Sequence, residues 1–158
     1  MSKISIWIRA ARLRTLPLSL SGILVGNALC IEYANFSWLL FGLMILTAAT
    51  FQIVSNFAND YGDGVKGTDN DERVGPKRIL QEGLLSRTAL KRAIALTSVI
   101  ALILAVWVII MAFGKDSIVY IMVFLAFSIL SVWAAISYTV GKNAYGYSGL
   151  GALCVWIV

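Results

Sequence analysis

The chain has 158 residues, of which 59% are hydrophobic and 13% charged, with a formal net charge of +5 and a mean hydropathy of +0.84. A soluble domain averages about 45–50% apolar and about 25% charged residues, so both departures exclude an ordinary soluble fold and indicate an integral membrane protein. The positive charge is not a nucleic-acid footprint, because Lys and Arg sit at the ends of apolar runs, and the absence of histidine leaves oxygen as the donor for any metal.

Residues 1 to 15 carry Lys3, Arg9, Arg12 and Arg14 without an acid, interleaved with Ile4, Ile6, Trp7 and Ile8. This pattern predicts a short interfacial helix that leads into a retained first span over 16–31, with Pro17 near its start. A second span is expected over 36–58, after which Gln52, Asn56, Asn59, Asp60 and Asp63 fall on one helical face that cannot look at lipid. Gly62, Gly64, Gly67, Gly75 and Pro76 are expected to break the helix into a binding loop over 59–87. Third and fourth spans follow at 88–113 and 117–140, then a second glycine-rich loop at 141–151 and the start of a fifth apolar run at 152–158. Cys30 and Cys154 lie in apolar runs and read as packing residues. The fold class is therefore all-α, a polytopic transmembrane helix bundle.

Lys and Arg are distributed unevenly between the two sides. The N-terminal arm holds four, the 59–87 loop and the turn after it seven, and the 141–151 loop one, against Lys115 alone on the other side. By the positive-inside rule the N-terminus and both glycine-rich loops face the cytoplasm across an inner membrane, so the loops can build one site.

Five of the eight acidic residues lie between Asp60 and Glu72. Asp60 and Asp63 are one helical turn apart, and two bare carboxylates ~5 Å apart repel by roughly 3 kcal/mol at an effective dielectric near 20. A divalent cation removes that repulsion; with oxygen donors only, the candidate is Mg2+, which takes one or two carboxylates together with waters and phosphate oxygens. Lys66, Arg73, Lys77 and Arg78 suit phosphate oxygens. Gly62 to Thr68 lacks the G-K-[ST] order of a P-loop, and the loop from Asp69 has Val74 and Leu80 where an EF-hand needs Gly and Glu. Two other readings of the same residues are a cation-conducting bundle and a non-catalytic membrane scaffold.

Asn59-Asp60-x-x-Asp63, followed by Asp69 and Arg73-x-Gly75-Pro76, resembles the first aspartate-rich motif of the UbiA-type intramembrane prenyltransferases. The wording N-D-Y-G-D with V-K-G-T-D and R-V-G-P-K-R is similar to the 1,4-dihydroxy-2-naphthoate polyprenyltransferase branch, which serves menaquinone synthesis. Arg12-x-Arg14-Thr15-Leu16-Pro17 and Tyr138-Thr-Val-Gly-Lys142 through Gly151 fit the same branch, while Ala152 stands where members usually carry an acidic residue.

The resemblance implies a bundle of about nine membrane helices and transfer of a polyprenyl group from its diphosphate to 1,4-dihydroxy-2-naphthoate, with Mg2+ as cofactor. Carried over, Asp60, Asp63 and Asp69 would hold the metal, with Asn56 and Asn59 orienting them. Lys77, Arg78 and Lys142 would grip the diphosphate, Arg73 would support the loop, and Tyr138 would line the cavity. The family's second aspartate-rich motif belongs to a C-terminal half that this sequence does not reach, so the isolated chain is expected to be inactive.

Overall fold

The computed structural model describes residues 2–33, 36–68, 77–114 and 117–149. Five α-helices follow in order: α1 (Lys3–Ala11), α2 (Leu16–Tyr33), α3 (Trp38–Lys66), α4 (Arg87–Phe113) and α5 (Ile118–Ser137), with 3-10 turns at Leu13–Thr15 and Tyr145–Tyr147. No strand occurs among the described residues. Among the described residues four helical stretches are long and apolar enough to cross a membrane, which makes the chain an all-α, multi-pass membrane bundle.

The helix ends follow from local chemistry. Ser2, Ser37 and Ser86 each accept a hydrogen bond from a backbone N–H three residues on, at 3.2, 3.3 and 3.1 Å, which starts α1, α3 and α4. Gly67 ends α3 in the left-handed region at φ 75°, where its N–H bonds Asp63 O.

Gly62 and Gly64 do not break α3, contrary to the expectation from sequence; the helix continues to Lys66. The glycines serve close approach instead. A Cβ on Gly62 would lie 2.5 Å from Thr139 Cβ and 2.6 Å from the Thr139 carbonyl, and one on Gly64 would lie 2.4 Å from Leu80 Cδ2. At 29 residues α3 is about 44 Å long, against about 30 Å of hydrocarbon, so some of its turns must stand clear of the lipid.

The buried side of α4 is the stripe Leu90, Ile94, Ser98, Ala101, Ala105 and Ile109, spaced by three or four residues and packed mainly on α3. At the α3 C-terminal end, Ala10, Ala11, Phe57, Ala58, Ile79, Leu90 and Ile94 form one apolar cluster, and Trp7 packs edge-on against Phe57 at 5.7 Å. This cluster fixes the α1 arm against the end of α3.

Candidate functional site

Three segments converge on the last turns of α3. The first is the arm: Asn56 Nδ2 donates to Ala11 O at 2.8 Å and to Thr15 Oγ1 at 3.1 Å, while Arg9 forks onto both carboxylate oxygens of Glu82 at 3.0 Å. Between those anchors Arg12 takes φ 50°, ψ 55°, the one non-glycine residue at positive φ among the described residues. That turn aims its guanidinium at the Asp60 carboxylate, to which Arg12 Nη2 donates.

The second segment follows the loop. Arg78 Nη1 lies 3.4 Å from Asp60 Oδ1 and 2.6 Å from Asp63 Oδ2, so a single nitrogen bridges the two acids. Asp60 is 1% exposed, and a buried carboxylate demands this compensation.

The third segment is the end of α5 and the turn after it. Thr139 Oγ1 donates to Ala58 O at 3.0 Å and lies 3.2 Å from Asn59 Oδ1. Gly146 N–H donates to Tyr138 O at 2.9 Å, and the Tyr145 hydroxyl donates to Ala134 O at 2.8 Å, which folds the turn back on α5. The fold-back delivers Tyr147, whose hydroxyl donates to Asp63 Oδ1 and whose ring carries Lys66 Nζ 3.8 Å from its centroid. Burial, then the Asp63 hydrogen bond, pushes the Tyr147 phenol up to about 12, so it remains a donor at physiological pH.

A cavity of about 300 Å³ opens beside Asp60 between the arm and the segment after α3. Arg9, Arg12, Arg14, Lys77 and Arg78 line it with Ile8, Leu13 and Ile79, and Asp60 is the one acid among its described lining residues. Five cations around one carboxylate make an anion-seeking pocket with an apolar side.

The residues singled out from sequence are distributed unevenly about this pocket. Asp60 and Asp63 come together through Arg78, and Lys77 lines the cavity. Asn59 meets Thr139, whereas Asn56 fastens the arm and accepts from Gln52 at 3.3 Å, so it touches neither carboxylate in the hydrogen bonds it makes. Tyr138 packs edge-on against Tyr145, 5.4 Å between centroids, and does not line the cavity; Lys142 is exposed on the adjoining turn. Asp69, Arg73 and Ala152 lie outside the described residues.

Sequence reading missed Arg12, Thr139 and Tyr147 as members of the site. Arg12, Thr139 and Tyr147 each sit within a stretch that carries the family resemblance, and that was the one available signal.

Among the described residues no three Asp, Glu, Cys or His side chains gather as a metal cage. The donor set nonetheless fits Mg2+, which takes one or two carboxylates and completes its shell with water and phosphate. The Arg78 nitrogen shared by Asp60 and Asp63 already occupies a position where both acids accept a cation.

Compared with curated proteins, the chain is 40% identical over 157 residues to a 1,4-dihydroxy-2-naphthoate octaprenyltransferase of Escherichia coli, 99% of this chain and 50% of that protein. It is 40% identical over 158 residues to the enzyme of the same name from Haemophilus influenzae, 98% of this chain and 50% of the other. The Mycobacterium tuberculosis protein of that name is 33% identical over 165 residues, 99% of this chain and 51% of its own. The chain thus spans about half the length of the curated relatives it matches. No family model matches it, and no solved structure matches it significantly.

Proposed function

We propose that this chain, homologous along its whole length to half of the 1,4-dihydroxy-2-naphthoate octaprenyltransferases, is the diphosphate-binding part of a Mg2+-dependent membrane prenyltransferase. The observation that carries the reading is one guanidinium nitrogen shared by Asp60 and Asp63, beside a cavity lined by five cations at the end of an apolar bundle.

Asp60 and Asp63 would hold the ion through carboxylate oxygens, with Asp69 as the third candidate. Arg78, Lys77 and Lys142 take the phosphate oxygens that the acids cannot. Asn59 is steadied from behind by Thr139, and Asn56 keeps the arm closed over the pocket. When bound, Mg2+ supplies the charge neutralisation that lets a diphosphate leave an allylic carbon. Ile8, Leu13 and Ile79 give the pocket an apolar side against which a prenyl group can lie.

The acceptor is the 1,4-dihydroxy-2-naphthoate of the relatives' names, and the product belongs to menaquinone synthesis. The arm and both glycine-rich segments face the cytoplasm, because together with the first turns of α4 they hold all but one of the Lys and Arg residues. A polypeptide of these 158 residues alone is expected to bind the donor but to turn over little or not at all, since the relatives use about twice that length. Carboxylates gathered at a helix end among phosphate-type cations argue against a cation pathway, which places charges near mid-bilayer.

The test is binding of a radiolabelled polyprenyl diphosphate by the purified chain in nanodiscs, with Mg2+ or with a chelator. Binding that requires Mg2+ and disappears in Asp60→Asn is expected. Equal binding by Asp60→Asn and the parent would overturn the proposal.

A further inference from the structure

The two central acids are electrically satisfied by the protein itself. Asp60 accepts from Arg12 and lies 3.4 Å from Arg78, while Asp63 accepts from Arg78 at 2.6 Å and from the Tyr147 hydroxyl. A divalent cation arriving alone would have to displace guanidinium groups from these carboxylates, next to the further cations Arg9, Arg14 and Lys77 on the same cavity wall. A pyrophosphate arriving alone would draw Arg12 and Arg78 away, leaving a carboxylate 1% exposed without its counter-ions. With both present, every charge has an opposite partner again: the acids face the ion and the arginines face phosphate.

Arg12 is built for such an exchange. Its side chain is 21% exposed and lines the cavity, while its backbone is held in the left-handed region, which a non-glycine residue adopts only when its surroundings enforce it. The enforcing bonds come from Asn56 to Ala11 and Thr15 on either side, so the guanidinium can change partner without the arm coming away.

We propose that Arg12 is a further binding residue of this site, a counter-ion of Asp60 that turns to the pyrophosphate as Asp60 takes up the divalent cation, so that cation and anion favour each other's binding. The inference rests on the function proposed above and adds to it a coupling that linkage makes reciprocal.

The experiment uses Mn2+ as the probe, its binding read by electron paramagnetic resonance on the chain in nanodiscs. Sulfate, a tetrahedral anion that complexes the ion only weakly in solution, replaces chloride at equal ionic strength. In the parent, sulfate is expected to raise Mn2+ affinity on the order of tenfold, the usual scale of such coupling. In Arg12→Gln, Mn2+ in chloride is expected to bind tighter than in the parent, since one competitor for Asp60 is gone, and the gain from sulfate is expected to shrink. Arg12→Lys, which keeps a cation, should stay close to the parent. A residue that only supports the fold would not tighten metal binding on removal.

Mn2+ binding that is indifferent both to sulfate and to Arg12→Gln overturns the coupling while leaving the metal site standing. Absence of Mn2+ binding with chloride, sulfate and pyrophosphate alike overturns the proposed function and the coupling with it.

Discussion

Replacing Gly62 by alanine tests how closely the end of α5 must approach α3. The added methyl would lie 2.5 Å from Thr139 Cβ and 2.6 Å from both the carbonyl carbon and oxygen of Thr139. Carbon atoms rest about 3.5–4.0 Å apart, so the two segments must separate by about 1 Å. Two of the three obstructing atoms are backbone, which removes escape by a change of rotamer. Separation also stretches the Thr139 bonds to Ala58 O and Asn59 Oδ1, now 3.0 and 3.2 Å. Overpacking costs about 1–3 kcal/mol and a lost hydrogen bond about 1 kcal/mol, against about 1 kcal/mol gained by alanine over glycine within a helix. A net loss of about 2 kcal/mol is expected in reversible unfolding in mixed micelles. Gly26→Ala is the control, because a Cβ there meets nothing within 4 Å; it should be neutral or slightly stabilising. If Gly62→Ala and Gly26→Ala unfold alike, the close approach described here is wrong.

Asp60→Asn leaves Arg12 and Arg78 without a buried carboxylate and should destabilise by about 3 kcal/mol in the same unfolding assay. Asn56→Leu removes the donor to Ala11 O and Thr15 Oγ1, at about 1–3 kcal/mol, and should make the arm before Leu16 markedly more sensitive to protease. Arg9→Gln breaks an exposed fork onto Glu82 and should change stability by less than about 1 kcal/mol, with even that difference fading at high salt. Tyr147 has a folded pKa raised from 10.0 to about 12, so its stabilising hydrogen bond to Asp63 is fully present below pH 10 and lost as pH climbs through 12. An ultraviolet difference titration of parent against Tyr147→Phe should therefore show one phenol ionising near pH 12; a midpoint near 10 would refute the assignment.

Helix count and type were legible because apolar runs of about 16 to 26 residues have few alternatives to a membrane-spanning helix. The acids at positions 60 and 63 were legible for the same reason, as charges that lipid cannot host. Gly62 misled because glycine has two uses: its backbone freedom suggested a break, whereas its missing side chain admits Thr139. Asn56 shared a helical face with Asp60, but face-sharing says nothing about what stands opposite, and the arm stands there. Arg12 and Tyr147 lie 48 and 84 residues from the acids they bind, separations at which periodicity is silent. Resemblance carried the chemistry further than spacing could, since two acids a turn apart also suit an ordinary cap.

The hydrogen bond from Asn56 to Ala11 joins residues 45 positions apart, and α2 with the first two thirds of α3 lies inside the loop it closes. Such a closure can form only after α2 and α3 have threaded the bilayer as a hairpin with their outer ends on one side. Docking of the arm is thus a late event in biogenesis, one that waits on the insertion of both spans.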